Sequence, residues 1–194
     1  MSHEREYEFL FVVDDVSIDD DEAMVILADA FDGVLSWNRG LYRLAVSSLG
    51  RDSREAAATL VSRLVAALPG FRVVRLDPEL VGISDIAQRI GHSRQNVLQW
   101  VNGERNGSRP FPAPEGCVGR SLVWRWADVN EWLRPLGVGD EAVRPSREDA
   151  TRIDGMLLDR NEHHAGRFPS RQQSDARTAS SDTAIPFRGT AGLH

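Results

Sequence analysis

Apolar residues along the first eighty positions alternate between two periods. Phe9-Leu10-Phe11-Val12-Val13 is apolar at consecutive positions, the pattern of a central strand covered on both sides. Asp19-Asp20-Asp21-Glu22 then precedes Ala23, Met24, Leu27, Ala28 and Phe31 at helical spacing, and negative charge in a first turn complements the exposed amides there. Gly33 ends that helix. Strand-like runs follow from Val34 to Trp37 and from Leu41 to Ser47, with Asn38-Arg39-Gly40 as the turn between them. Asp52 and Glu55 have capping-box spacing before a stripe of Ala57, Leu60, Val61, Leu64 and Leu68, and Pro69-Gly70 stops the helix. Phe71 to Leu76 reads as a last strand.

The order strand, helix, strand, strand, helix, strand predicts a ferredoxin-like βαββαβ module over residues 1–80, within an α+β chain. One sheet face would be open, with Val12 and Leu44 expected on it, and a second copy of the chain would bury it. The acidic cluster Asp14, Asp15, Asp19, Asp20 and Asp21 lacks the Gly and the terminal Glu of a calcium loop and is read as a solvated helix start. The architecture itself assigns no chemistry.

Residues 81–136 carry more information. Ile83, Ile86, Ala87 and Ile90 form one face of a helix that starts through Ser84-Asp85, and Gly91 closes it where a left-handed backbone is easy. A second helix, Arg94 to Val101, turns Val97, Trp100 and Val101 inward. That is a helix-turn-helix pattern with Arg94, Gln95, Asn96 and Gln99 outward, side chains that match guanine and adenine edges in a major groove. Phe111-Pro112-Ala113-Pro114 comes next. Then follow Gly119-Arg120, the strand Ser121 to Trp126, and Asp128-Val129-Asn130-Glu131-Trp132-Leu133. Leu122, Trp124 and Trp126 alternate onto one strand face and are expected beneath the helices.

In this order and spacing, residues 81–134 resemble the winged helix-turn-helix of AlpA-type phage regulators and excisionases, within the MerR-like superfamily. The resemblance implies double-stranded DNA binding, with Ser93 to Gln99 as the recognition helix and the loop from Gly103 to Arg120 as a wing. Ser93 to Gly103 is also similar to the wingless phage-repressor class, but the Gly-Arg strand and the closing Trp helix favour the winged form. On this reading Ser93, Arg94, Gln95, Asn96 and Gln99 lie at base edges or adjacent phosphates. Arg105, Arg109 and Arg120 contact phosphates, since loop charge positions a protein better than it reads sequence.

Beyond Pro135 the apolar signal thins. Ser146-Arg147-Glu148-Asp149 caps a short helix over 146–160 with Ile153, Leu157 and Leu158 as its apolar edge, and the rest of the 137–194 tail has the composition of a largely disordered segment. His163 and His164 are adjacent and point apart on a regular element.

Charge sharpens this division. The net charge of −6 is an average over residues 1–80 at −7, residues 81–136 at +2 and residues 137–194 at −1, so only the middle segment is basic. All 23 basic side chains are arginine, each a planar donor suited to phosphate and guanine. Cys117, the lone cysteine, excludes an internal disulfide and fits a reducing cytosol. With no apolar run of about 18 residues, no membrane span is expected.

No nucleophile and base pair, metal-ligand spacing or phosphate loop is visible, so neither an enzyme nor a cofactor is expected. The leading expectation is a cytoplasmic, nucleoid-associated transcriptional regulator acting as a homodimer, whose first module dimerises, senses a ligand or binds a partner. The alternative is an antitoxin or adaptor. Its acidic module or tail would hold a protein partner, and its DNA binding would be autoregulatory.

Overall fold

The computed structural model describes residues 4–105 and 109–165. The elements are β1 (Arg5–Asp14), α1 (Asp21–Phe31), β2 (Val34–Asn38), β3 (Leu41–Gly50), α2 (Ser53–Ala67), β4 (Arg72–Leu76), β5 (Leu80–Val81), α3 (Ile83–Arg89), α4 (Arg94–Val101), β6 (Gly116–Val118), β7 (Ser121–Arg125), α5 (Trp126–Leu133) and α6 (Arg147–Ala165). The chain is a mixed α+β protein with two antiparallel sheets, ordered β2-β3-β1-β4 and β5-β7-β6. No described helix is long and apolar enough to cross a membrane.

Helix starts follow local chemistry. Asp20 accepts from the Ala23 amide at 3.0 Å and opens α1, while Arg72 pairs with Asp14 and Asp15. Asp52 accepts from the amides of Arg54 and Glu55 and opens α2, but Glu55 reaches back to the Arg51 amide rather than to Asp52.

The β1–β3 register decides what each sheet face carries. Phe11 lies opposite Leu44 and Val12 opposite Arg43, so Leu44 and Val12 point to opposite faces. Leu44 is fully buried with Phe9, Phe11, Leu60 and Leu64 beneath α1 and α2, which corrects its expected place on the open face. The opposite face holds Glu6, Glu8, Arg43 and Ser47 around Leu10 and Val12, a polar mixture rather than an apolar patch.

The larger departure from expectation concerns α6. Instead of a thin helix over 146–160, it runs to Ala165, started by Ser146, whose hydroxyl accepts from the Asp149 amide. Ile153 and Leu157 enter the first core, whereas Leu158 stays exposed. The helix lies along the outer edge of β4: Asp154 accepts from the Leu76 amide at 2.7 Å, and Asn161 donates to the Val73 carbonyl at 3.0 Å. Seven helical residues rise about 10 Å, close to the length of three strand residues, so the two polar side chains match two backbone groups along that edge. The first module is thus completed by a segment from beyond residue 146. The disorder expected for the rest of the tail, and the side chain of His164, lie outside the described residues.

Residues 81–133 build a separate core from Val81, Ile86, Ala87, Val97, Trp100, Trp124, Trp126, Val129, Trp132 and Leu133. Trp124 and Trp126 are buried as expected, although Trp126 begins α5 rather than ending the strand; Leu122, expected beneath the helices, is exposed.

Candidate nucleic-acid interface

The turn between α3 and α4 is set by a few bonds. Asp85 accepts from the Gly82 amide at 2.8 Å at the start of α3. Gly91 takes φ +68°, a region costly for residues with a Cβ, and the His92 amide closes back on the Ala87 carbonyl at 2.9 Å. Ser93 then caps α4, its hydroxyl accepting from the Asn96 amide at 3.2 Å. Val97 and Trp100 anchor α4 to the second core, which fixes the opposite face outward.

An aromatic group supports this geometry from below. Trp100 and Trp132 have ring centroids 5.7 Å apart, and Phe111 meets Trp132 at 4.9 Å and Trp124 at 5.7 Å. Trp124 donates to the Pro112 carbonyl and Trp132 to the Arg109 carbonyl, so the segment from Arg109 to Pro112 is tied to the core. β6 and β7 form a hairpin whose two-residue turn is Gly119-Arg120, with Gly119 at φ +63°.

The eight expected contact residues fall into four groups. Arg94, Gln95 and Gln99 on α4 and Arg120 on the hairpin tip make no side-chain hydrogen bond or ion pair among the described residues, and all except Gln99, which is half-buried, are exposed. Asn96 and Arg105 are engaged with one another: Arg105 donates to Asn96 Oδ1 at 3.0 Å, while Asn96 Nδ2 lies 2.8 Å from His92 Nδ1. Ser93 is occupied as the cap. Arg109 is drawn away, since its guanidinium donates to the carbonyls of Trp132 and Glu131 at the end of α5.

His92 was not among the expected residues; it precedes the Ser93 cap and lies outside α4, so no helical spacing signalled its contact with Asn96. No family model, no curated protein and no solved structure matches the chain.

Proposed function

We propose that the chain is a sequence-specific DNA-binding transcriptional regulator of the bacterial cytoplasm, in which a ferredoxin-like module carries a winged helix-turn-helix of AlpA or excisionase type. The observation that carries the reading is the outward face of α4. Its Arg94 and Gln95 are exposed without partners among the described residues, on a helix pinned by Ser93, Val97 and Trp100. A long flexible donor left free on a rigid helix suits a base edge, whereas Arg120 at a hairpin tip suits a phosphate. Asn96, Arg105 and His92 hold one another, so their role is to orient the helix or to reach phosphate once released. Arg109 supports α5 instead.

A single small reading head binds weakly, so the active form is proposed to be a homodimer on two half-sites. The acidic first module faces away from the duplex.

The test is binding of the full chain to genomic fragments across a salt series. Enrichment of specific sequences with affinity falling as salt rises is expected; no sequence preference at any ionic strength, or a flat salt slope, overturns the reading. Within an enriched site, Arg94→Ala should relax one base position at a cost of about 1–3 kcal/mol, and Arg120→Ala should weaken all sequences alike. Uniform loss from both substitutions refutes the division between reading and positioning.

A second reading, an adaptor whose first module holds a protein partner, is favoured by β2, a free sheet edge on which Val34 and Trp37 are exposed. A stoichiometric partner co-purifying from the native host supports it; a clean homodimer supports the first.

A further inference from the structure

Between the first module and the second core lies a cavity of about 390 Å³, in the size range of small-ligand sites. Its walls come from three places: the polar face of the first sheet, the β7–α5 junction, and α6 with the segment leading into it. Leu10, Ala45, Ala127 and Ala150 supply apolar lining.

The charges around it are unequally matched. Glu8 lies 2.9 Å from Arg144, Asp77 3.8 Å from Arg43, Glu79 2.5 Å from Arg89 and Glu115 2.5 Å from Arg147. Those carboxylates are accounted for. Arg75 and Arg125 also line the cavity, and neither has a carboxylate within ion-pair distance among the described residues. Among the described residues, Arg75 donates only to the adjacent Leu76 carbonyl. Arg125 is 8 % exposed, and its Nη1 has no hydrogen-bond partner among the described residues. A buried, unpartnered guanidinium nitrogen is costly unless something joins it. Asp154 is the remaining lining carboxylate, and it accepts from the Leu76 amide. The lining holds five carboxylates and four arginines, and Arg144 and Arg147 are shared with Asp140 and Asp128, so the cavity carries no positive excess; what it offers an anion is the two arginines without a carboxylate partner among the described residues.

We infer that this cavity binds a small organic monocarboxylate, held by Arg125 and Arg75 with its apolar body against Leu10, Ala45 and Ala150. One carboxylate supplies the acceptor that Arg125 Nη1 lacks, after a rotation of the guanidinium toward the cavity, while the lining carboxylates disfavour a second negative charge on the ligand. Because Arg75 belongs to β4, Arg125 to the β7–α5 junction and Asp154 to α6, the bound acid bridges the two cores. The site does not depend on the chain's reading DNA, so its failure and the failure of the DNA reading are separate results.

The test is calorimetric titration of the full chain with benzoate, acetate, succinate and inorganic phosphate. Saturable binding of benzoate, tighter than that of acetate or of the two multiply charged anions, is expected. Arg75→Gln, at an exposed position that leaves the core intact, and Arg125→Met should each weaken benzoate by at least about tenfold. Asp154→Asn keeps an acceptor for Leu76 while removing the competing charge, so it should tighten benzoate several-fold. No saturation with benzoate overturns the inference, as does unchanged binding in Arg75→Gln. Preference for phosphate overturns the carboxylate class. A rise in the melting temperature of Arg125→Met, together with no benzoate binding by the wild type, shows that Arg125 is only a buried cost.

Discussion

Asn130 is 3 % exposed and spends its whole amide on one residue. It donates to the carbonyl and to the carboxylate of Asp140, and accepts from the Asp140 amide at 2.8 Å. A Cβ at Gly139 would sit 2.4 Å from the side-chain Oδ1 of Asn130, so only glycine lets the chain pass this close. Asn130→Ala leaves the backbone groups of Asp140 without these partners and should cost about 3 kcal/mol in urea unfolding. Asp140 adds a pH dependence. Burial raises its carboxyl, but donors from Arg144 and Trp126 outweigh that and hold it below the ordinary carboxylate range. A folded value below the unfolded one means that the ionised group adds stability above about pH 4, lost as pH falls through the folded value. The stability gap between wild type and Asp140→Asn should therefore be widest near neutrality and close on acidification; a gap constant with pH refutes the assignment.

At the scale of elements, α6 has the largest consequence, because it closes a sheet edge that would otherwise offer unpaired backbone groups to other chains. Leu157 is fully buried beneath it and Leu158 is 59 % exposed, which gives an internal control. Leu157→Ala should cost about 2–5 kcal/mol and Leu158→Ala under about 0.5 kcal/mol, read from urea midpoints. Equal effects would mean that α6 does not dock. The capping serine and the apolar spacing of this helix were legible in the sequence, but its destination was not. Asp154 and Asn161 serve backbone groups of β4, and a strand edge has no side-chain signature to match against. The α3–α4 turn was the opposite case. Gly91, Ser93 and the inward Val97 and Trp100 act within about ten residues of one another, so their roles could be read locally. Arg109 could not be, since its partners lie 22 and 23 residues away. The open-face expectation failed for a related reason: only the pairing register tells which side of β3 Leu44 faces.

For the whole molecule, the two cores are tied by charge as well as by chain. Arg144, mostly buried, reaches Glu8 on β1, Glu79 before β5 and Asp140 after α5. Arg89 pairs with Glu79 and lies 4.8 Å from the Trp126 ring centre. Four of the five tryptophans belong to the second core, so tryptophan fluorescence follows that core, while far-ultraviolet circular dichroism follows both. Coincident urea transitions by the two signals are expected for the wild type. Arg144→Ala should separate them; coincidence retained in that variant would show that the arginine does not couple the cores.

The bond between Leu76 and Asp154 spans 78 residues of chain, and its consequence begins at the ribosome. β4 leaves the exit tunnel with a bare edge and must wait for α6, while the segment from Val81 to Leu133 already contains every residue of its own core. The later segment therefore completes its fold first during synthesis, and the earlier one is the nascent stretch with the longest exposure to chaperones and to strand pairing with neighbouring chains.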